Sequence, residues 1–309
     1  MIEVEHLSRY YGQHRAVDDV SFKIGDNTVV GFVGLNGAGK TTTLKVIAGL
    51  LPPSAGTVRV DGVDMATAPE SFRKQIGFLP ETPPLYTEQT VTDFLRFVGS
   101  LRGVSPKDLE ERLPGVIQRC QLSGREHWVI DELSHGYRKR VGIAATILHK
   151  PKLVILDEPI SGLDPEQISE MRSVIRDLGR ECTVLVSSHI LSEVQQTCDR
   201  VLMLHRGKIA YEGTERDMEG RPDSSTLVRI AVRGEQGALQ AALKSLDYVR
   251  EAQFTALDGS VEAVIELDGD RREDLVAALV MAGQRLRRVE DAHDALEQKF
   301  LELSREGAA

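Results

Sequence analysis

Cysteine is scarce: Cys120, Cys182 and Cys198 are the only three in 309 residues. An odd number of thiols, far apart and without metal-ligand spacing, excludes a disulfide framework and a cysteine zinc site. It predicts reduced side chains buried as small apolar groups. Long apolar runs are missing too. None approaches the ~18 residues that a bilayer span requires, so any membrane role must run through a partner. There is no basic excess. Lys and Arg number 38 against 47 Asp and Glu, for a net charge of −9, which weighs against nucleic acid as the main partner. Met1–His6 lacks the charged-then-apolar layout of a secretory signal, and the expectation is a cytoplasmic protein. No internal repeat or low-complexity tract appears. What remains is ordinary globular material, 41% hydrophobic and 28% charged, long enough for roughly two domains.

Within it stands Gly34-Leu35-Asn36-Gly37-Ala38-Gly39-Lys40-Thr41, which fits the phosphate-loop pattern G-x-x-x-x-G-K-[ST] at every fixed position. Its context fits as well. Val29–Val33 reads as a short buried strand, and Thr42–Ala48 as a helix that starts at the loop. Glycines let the backbone close around phosphate oxygens with successive N–H groups pointing inward. The helix N-terminus adds positive potential, Lys40 reaches the terminal phosphates, and the Thr41 hydroxyl can ligate Mg²⁺.

Taken in order, residues 1–30 alternate like strands, with turns at Gly12 and Gly25-Asp26-Asn27. Tyr11 lies between two of them, where an aromatic ring can stack on a purine. Short strands follow at Thr57–Val60 and Ile76–Leu79. From about Pro83 the pattern turns helical: Val91, Phe94, Leu95, Val98 and Leu101 recur at helical spacing, and Ser105-Pro106 is a cap and first turn. Pro114-Gly115 is expected to break or kink that second helix. The helical insertion covers about 83–145 and includes a helix after Leu133-Ser134-His135-Gly136-Tyr137.

Leu153–Leu156 is wholly apolar and runs into Asp157-Glu158. Such a strand is buried on both faces and belongs inside a parallel sheet, at whose carboxyl ends open α/β folds bind ligands. Downstream of a phosphate loop, Asp157 is the natural Mg²⁺ ligand, direct or outer-shell. Glu158 is the candidate to orient or deprotonate the attacking water. Ser161–Pro165 turns into a further helix. Thr183–Ser188 is another buried strand, with His189 just beyond it, placed to contact the terminal phosphate.

Polar residues with Gly213, Gly220 and Pro222 follow, and about 216–226 reads as a linker. Beyond it the pattern is strand 227–233, helix 235–246, strands 248–256 and 260–267, helix 270–282, strand 284–289 and helix 291–305. That is the βαββαβ order of a ferredoxin-like unit plus a terminal helix. Arg285, Arg287 and Arg288 read as a solvated charged face.

Together these motifs resemble the ATP-binding subunits of ABC transporters, over residues 1 to about 215. Glu81 falls at the family's Q-loop, Leu133–Tyr137 at its signature (usually LSGGQ), Asp157-Glu158 at Walker B, Ser161–Asp164 at the D-loop and His189 at the switch histidine. Tyr11 falls at the adenine-stacking aromatic. The sequence is most similar to ABC-2-type exporter ATPases, which commonly carry LPE at the Q-loop.

The resemblance implies an α/β P-loop NTPase domain (1–215) with a helical insertion, joined to a small α+β ferredoxin-like accessory domain (227–309). It implies ATP and Mg²⁺, bound by Tyr11, the loop residues Gly34 to Thr41, Thr42, Glu81 and Asp157, with Glu158 and His189 catalytic. It further implies a head-to-tail nucleotide sandwich with a second copy, as a homodimer, or with a paired ATPase subunit, in which Ser134 and Gly136 complete the partner's site and Asp164 of the D-loop is also nucleotide-binding. The remaining partner is a transmembrane permease subunit, with this chain cytoplasmic and peripheral on the cytoplasmic face of the inner (cell) membrane. Two departures stand out: Glu81 replaces the usual Gln, and His135 and Tyr137 replace Gly and Gln of the signature. A soluble ATPase acting on ribosomes or DNA would carry two cassettes or a long coiled-coil insertion, and a phosphotransferase has no use for the signature.

Overall fold

The computed structural model describes residues 1–214, 225–257 and 260–291. They fall into two compact units, the first ending at Thr214. All of the expected helix 291–305 beyond Asp291, which ends a strand, and nearly all of the linker lie outside the described residues, while Ser225 and Thr226 already belong to a strand.

The first unit opens with an antiparallel hairpin, β1 (Ile2–Tyr11) and β2 (His14–Ile24). There follow β3 (Val29–Val33), α1 (Lys40–Ile47), β4 (Ala55–Val60), β5 (Val63–Asp64), α2 (Pro69–Lys74) and β6 (Ile76–Leu79). The helical layer holds α3 (Val91–Leu101), α4 (Pro106–Arg119) and α5 (His135–Ile147). The unit closes with β7 (Leu153–Leu156), α6 (Pro165–Gly179), β8 (Thr183–Ser188), α7 (Leu191–Gln195), β9 (Arg200–His205) and β10 (Lys208–Gly213).

Two sheets result. One is antiparallel, in the order β2-β1-β4-β5. The other runs β10-β9-β3-β8-β7-β6, parallel except for the edge strand β10. The central strands are apolar because both faces are covered. Val154, Leu156, Val184 and Val186 enter a core with α3 to α6. Their neighbours Leu153, Ile155 and Leu185, with Phe32, enter a second core with α1 and the antiparallel sheet. Gly77 shows how close the layers come: a Cβ there would lie 2.3 Å from the carbonyl oxygen of Thr146 in α5.

In the helical layer Thr90 and Ser105 cap α3 and α4 through the N–H groups of Asp93 and Asp108. Of the expected break or kink at Pro114-Gly115 the break does not occur, and α4 runs through to Arg119. Proline forfeits one helical hydrogen bond, but Leu109, Leu113, Val116 and Ile117 bury one face across the site and hold the helix together.

The second unit comprises β11 (Ser225–Arg233), α8 (Gln236–Lys244), β12 (Val249–Leu257), β13 (Ser260–Asp268), α9 (Arg272–Met281) and β14 (Arg285–Asp291). Its sheet order, β12-β13-β11-β14, is the ferredoxin-like arrangement that the sequence pattern predicts. Val228, Ile230, Val232, Val261, Ala263 and Ile265 alternate inward against Leu239, Leu243, Leu275 and Leu279 of the two helices. Arg288, of the basic cluster, is paired with Glu262 and Glu290.

Cys120 and Cys182 are buried, and burial raises their thiol pKa to about 12 and about 11. Cys198 is also held at about 12 by burial. Such thiols are poor nucleophiles.

His149, just beyond α5, places Nε2 at 3.0 Å from the carbonyl oxygen of Ile76, so Nε2 carries the proton and donates. Nδ1 is buried with no hydrogen-bond partner among the described residues. Burial, aided by Arg102, lowers the imidazole pKa to about 4 from 6.5. Between those values the unfolded chain binds the proton and the folded one does not, so this residue lowers stability as the pH falls from 6.5 toward 4. His149→Gln is expected to lose less melting temperature than wild type between about pH 7 and pH 4.5, in the window set by those two pKa values. Equal losses in paired thermal melts would refute the assignment.

Candidate active site

Strand register decides what meets what. Val33 pairs with Ser188, Leu156 with Val186, and Leu79 with Leu156. The segments that leave β3, β8, β7 and β6 therefore emerge along one edge of the sheet. They carry the phosphate loop, His189, Asp157-Glu158 and Glu81 respectively. This is the carboxyl edge, where α/β folds bind ligands. A cleft of about 490 Å³ opens there. Its lining includes Tyr11, Leu35, Asn36, Gly37, Gly39, Lys40, Thr41, Thr42, Glu81, Glu158 and His189.

The loop has the shape of a phosphate cradle. Gly39 sits at φ 102°, and a Cβ there would lie 2.2 Å from the carbonyl oxygen of Ala16. Gly37, at φ 82°, faces open space. Both positions use conformations that a side chain disfavours. Gly34 and Ala38 complete the turn, with the Ala38 N–H donating to the Leu35 carbonyl at 3.1 Å. Helix α1 begins at Lys40, so its free N–H groups point into the cleft.

Lys40 is only 7% exposed. Its Nζ donates to the carbonyls of Gly34 (2.6 Å) and Leu35 (3.3 Å) and lies 3.9 Å from Glu158 Oε1. Burial pulls its pKa down, while the carboxylates of Glu158, Asp157 and Glu81 oppose that shift. The cation is thus held among carboxylates at the mouth of the loop.

Asp157 and Glu158 share one hydroxyl that the sequence reading did not single out. The Glu158 N–H donates to Ser187 Oγ at 2.8 Å, and Ser187 Oγ donates to Asp157 Oδ1 at 2.6 Å. The Asp157 N–H donates to the Leu79 carbonyl at 2.9 Å, which ties it to β6. Asp157 is 3% exposed and stands behind the cleft wall. Glu158 Oε2 lies 2.9 Å from His189 Nδ1. Ser187 carried a faint signal, as the polar end of an otherwise apolar strand that runs into His189. His14 and Ala16, which also line the cleft, gave none.

Ser134, Gly136 and Asp164 are not among the lining residues. Ser134 caps α5 and Asp164 caps α6. A Cβ on Gly136 would lie 2.4 Å from Gln167 Oε1, so these two helix starts pack against each other. The Tyr137 ring packs against the guanidinium groups of both Arg125 (4.2 Å) and Arg140 (4.9 Å). The tyrosine that stands at the family's glutamine position is therefore a packing residue within this chain.

A phosphate loop on the carboxyl edge of a parallel sheet, with a buried aspartate, a glutamate and a histidine around its lysine, defines a P-loop nucleoside triphosphatase. The ABC transporter family model matches residues 17–161. YxlF of Bacillus subtilis, an uncharacterised ABC transporter ATP-binding protein, is 33% identical over 304 residues, 98% of this chain and 99% of its own. The bacitracin transport ATP-binding protein BcrA of Enterococcus faecalis is 32% identical over 312 residues, 98% of this chain and 96% of its own. A solved structure titled as an ATP-binding subunit of an ABC transporter has 35% identity and a TM-score of 0.64, covering 71% of this chain and 92% of that one. The chain belongs to the ATP-binding proteins of ABC transporters, and it is an ATP-binding, ATP-hydrolysing subunit. Among the described residues no helix is long and apolar enough to cross a membrane.

Ser187→Ala removes the partner of a buried N–H and of a buried carboxylate oxygen. Each such loss costs ~1–3 kcal/mol. Two such losses total ~2–6 kcal/mol, and at ~2–4 °C per kcal/mol for a domain of this size the melting point is expected to fall by roughly 4 °C or more. A calorimetric midpoint within about 1 °C of wild type, on the same scale, would show that the hydroxyl does not hold the two residues.

Proposed function

We propose that this chain is the energising subunit of an ABC-2-type exporter and drives a separate transmembrane permease from the cytoplasmic face of the membrane. The observation that carries the reading is a division of labour. Lys40, Glu158 and His189 converge on one cleft, while Ser134 and Asp164 stand apart at two adjacent helix N-termini. A second copy docked head to tail would bring its Ser134 and Gly136 to the open side of the cleft, and C₂ symmetry would complete both sites at once. The likeness to a bacitracin transport ATP-binding protein along nearly the full chain supports the exporter branch.

In this reading Tyr11 stacks on the adenine. The Gly34–Thr41 backbone and Thr42 hold the phosphates, with Lys40 on the terminal ones. Glu158 accepts the proton of the attacking water, and His189, held at its carboxylate, steadies charge on the terminal phosphate. The available metal donors are hard oxygens: the Thr41 hydroxyl, Asp157 and the carboxylate that Glu81 supplies in place of an amide. Among the described residues no protein cluster of three or more His, Cys, Asp or Glu side chains suits a metal, so phosphate oxygens would complete the shell. Mg²⁺ bound there would neutralise phosphate charge.

Glu158→Gln keeps the shape of the side chain and removes the proton acceptor. ATP affinity should stay near wild type while turnover falls by at least ~10², and ATP should hold the variant as a dimer in light scattering. Tagged variant captured with ATP from gently solubilised membranes should bring a polytopic membrane protein with it. Near-normal turnover would end the catalytic assignment. Ribosomal or DNA-repair proteins in place of a membrane protein would end the exporter reading.

A further inference from the structure

Lys139 lies in α5, near the start that Ser134 caps, yet it is 2% exposed and takes no part in the cleft. Burying an ammonium is costly unless it is hydrogen-bonded. Its Nζ donates to two main-chain carbonyls, those of Glu158 and Ser161, both at 2.8 Å. The first of these is unusual. Glu158 sits at φ 49°, the left-handed region that a residue with a Cβ occupies at a cost of ~1–2 kcal/mol. Such a conformation persists only where its surroundings over-determine it. Here they do so from both sides: Ser187 holds the Glu158 N–H and Lys139 holds its carbonyl.

The charge on Lys139 also has an account. Burial lowers its pKa, and the carboxylates that oppose the shift are Glu81, then Glu158, then Glu193. Glu81 is the acid standing where the family usually carries a neutral amide, and Lys139 is a cation whose field offsets it.

We propose that Lys139 is a positioning residue for hydrolysis: it clamps the Glu158–Ser161 turn to α5 and so aims the Glu158 carboxylate at the cleft. The clamp also joins the two ends of a chemical circuit, because α5 begins at Ser134. A displacement of that helix start is passed to the backbone of Glu158 through a single ammonium. The inference rests on the reading of Glu158 as the group that activates water.

The test is a double-mutant cycle on the full chain, with melting point, nucleotide affinity, kcat and KM measured for Lys139→Met, Lys139→Gln, Glu158→Gln and the Glu158→Gln/Lys139→Met pair. Methionine keeps an unbranched apolar stem, one bond short of Nζ, and removes both hydrogen bonds. Glutamine donates but is one bond short, so it reaches one carbonyl. A loss of aim by about 1 Å costs ~10²-fold in rate. Expected, then, are a kcat lower by ~10–100-fold for methionine, a smaller fall for glutamine and an unchanged KM in both. Methionine should cause no further loss in the Glu158→Gln background, where there is no proton acceptor left to aim. If Glu158→Gln is inactive while the methionine variant turns over within about twofold of wild type, the clamp is refuted and the catalytic reading survives. Additive losses in the pair, or a KM that rises in step with the fall in kcat, refute it as well. If Glu158→Gln turns over normally, the catalytic reading itself has failed. Should the methionine variant not fold, the glutamine variant decides alone: a lowered kcat at wild-type KM upholds the clamp, and a wild-type kcat overturns it.

Discussion

The constraint on which the rest depends is the parallel register of β3, β8, β7 and β6. Each strand is short and mostly buried, β8 alone of the four carrying polar side chains (Thr183, Ser187 and Ser188), and adjacent strands are paired so that their carboxyl ends fall on one edge. Close packing on both faces prevents any strand from sliding, since a one-residue slip would exchange its inward side chains between two different cores. The chemistry is carried by what immediately follows each strand. Lys40, the Asp157-Glu158 pair and His189 are far apart in sequence, yet each follows a buried strand end by no more than a short loop. The apolar core is thus the positioning device for the polar site.

Most of this was legible because the signals were local. The phosphate loop is a contiguous pattern, and the strands before it and after Lys152 are too apolar to be anything but interior. The ferredoxin-like unit followed from periodicity alone, with Val261, Ala263, Ile265 and Leu267 alternating as a half-buried strand should. Pro114 misled because a local rule about proline was overridden by the tertiary burial of Leu109, Leu113, Val116 and Ile117. Ser187 gave only a faint signal and Lys139 none, because their partners are backbone groups and side chains about 20 to 30 residues away that only the fold brings together. Tyr137 lay between the two cases. Its departure from the signature was evident, but its place against two arginines required the fold.

The electrostatics of the cleft follow from the same arrangement. Bringing strand ends together gathers Glu81, Asp157 and Glu158 around one buried lysine, and a second buried lysine sits behind them. Carboxylates so close are tolerated because Lys40 and Lys139 spread positive charge on either side, and because Asp157 is hydrogen-bonded to a hydroxyl. Both lysines spend their hydrogen bonds on main-chain carbonyls and leave the carboxylates for other work.

The left-handed backbone of Glu158 has a consequence for how such a protein changes over generations. Glycine or asparagine would occupy that φ with less strain, so the residue that best suits folding at this position differs from the one retained. Selection for thermal endurance alone, without any demand for turnover, would drift toward the more comfortable backbone and discard the carboxylate. On the proposed reading of Glu158 as the group that activates water, its carboxylate occupies a site where backbone stability favours another residue.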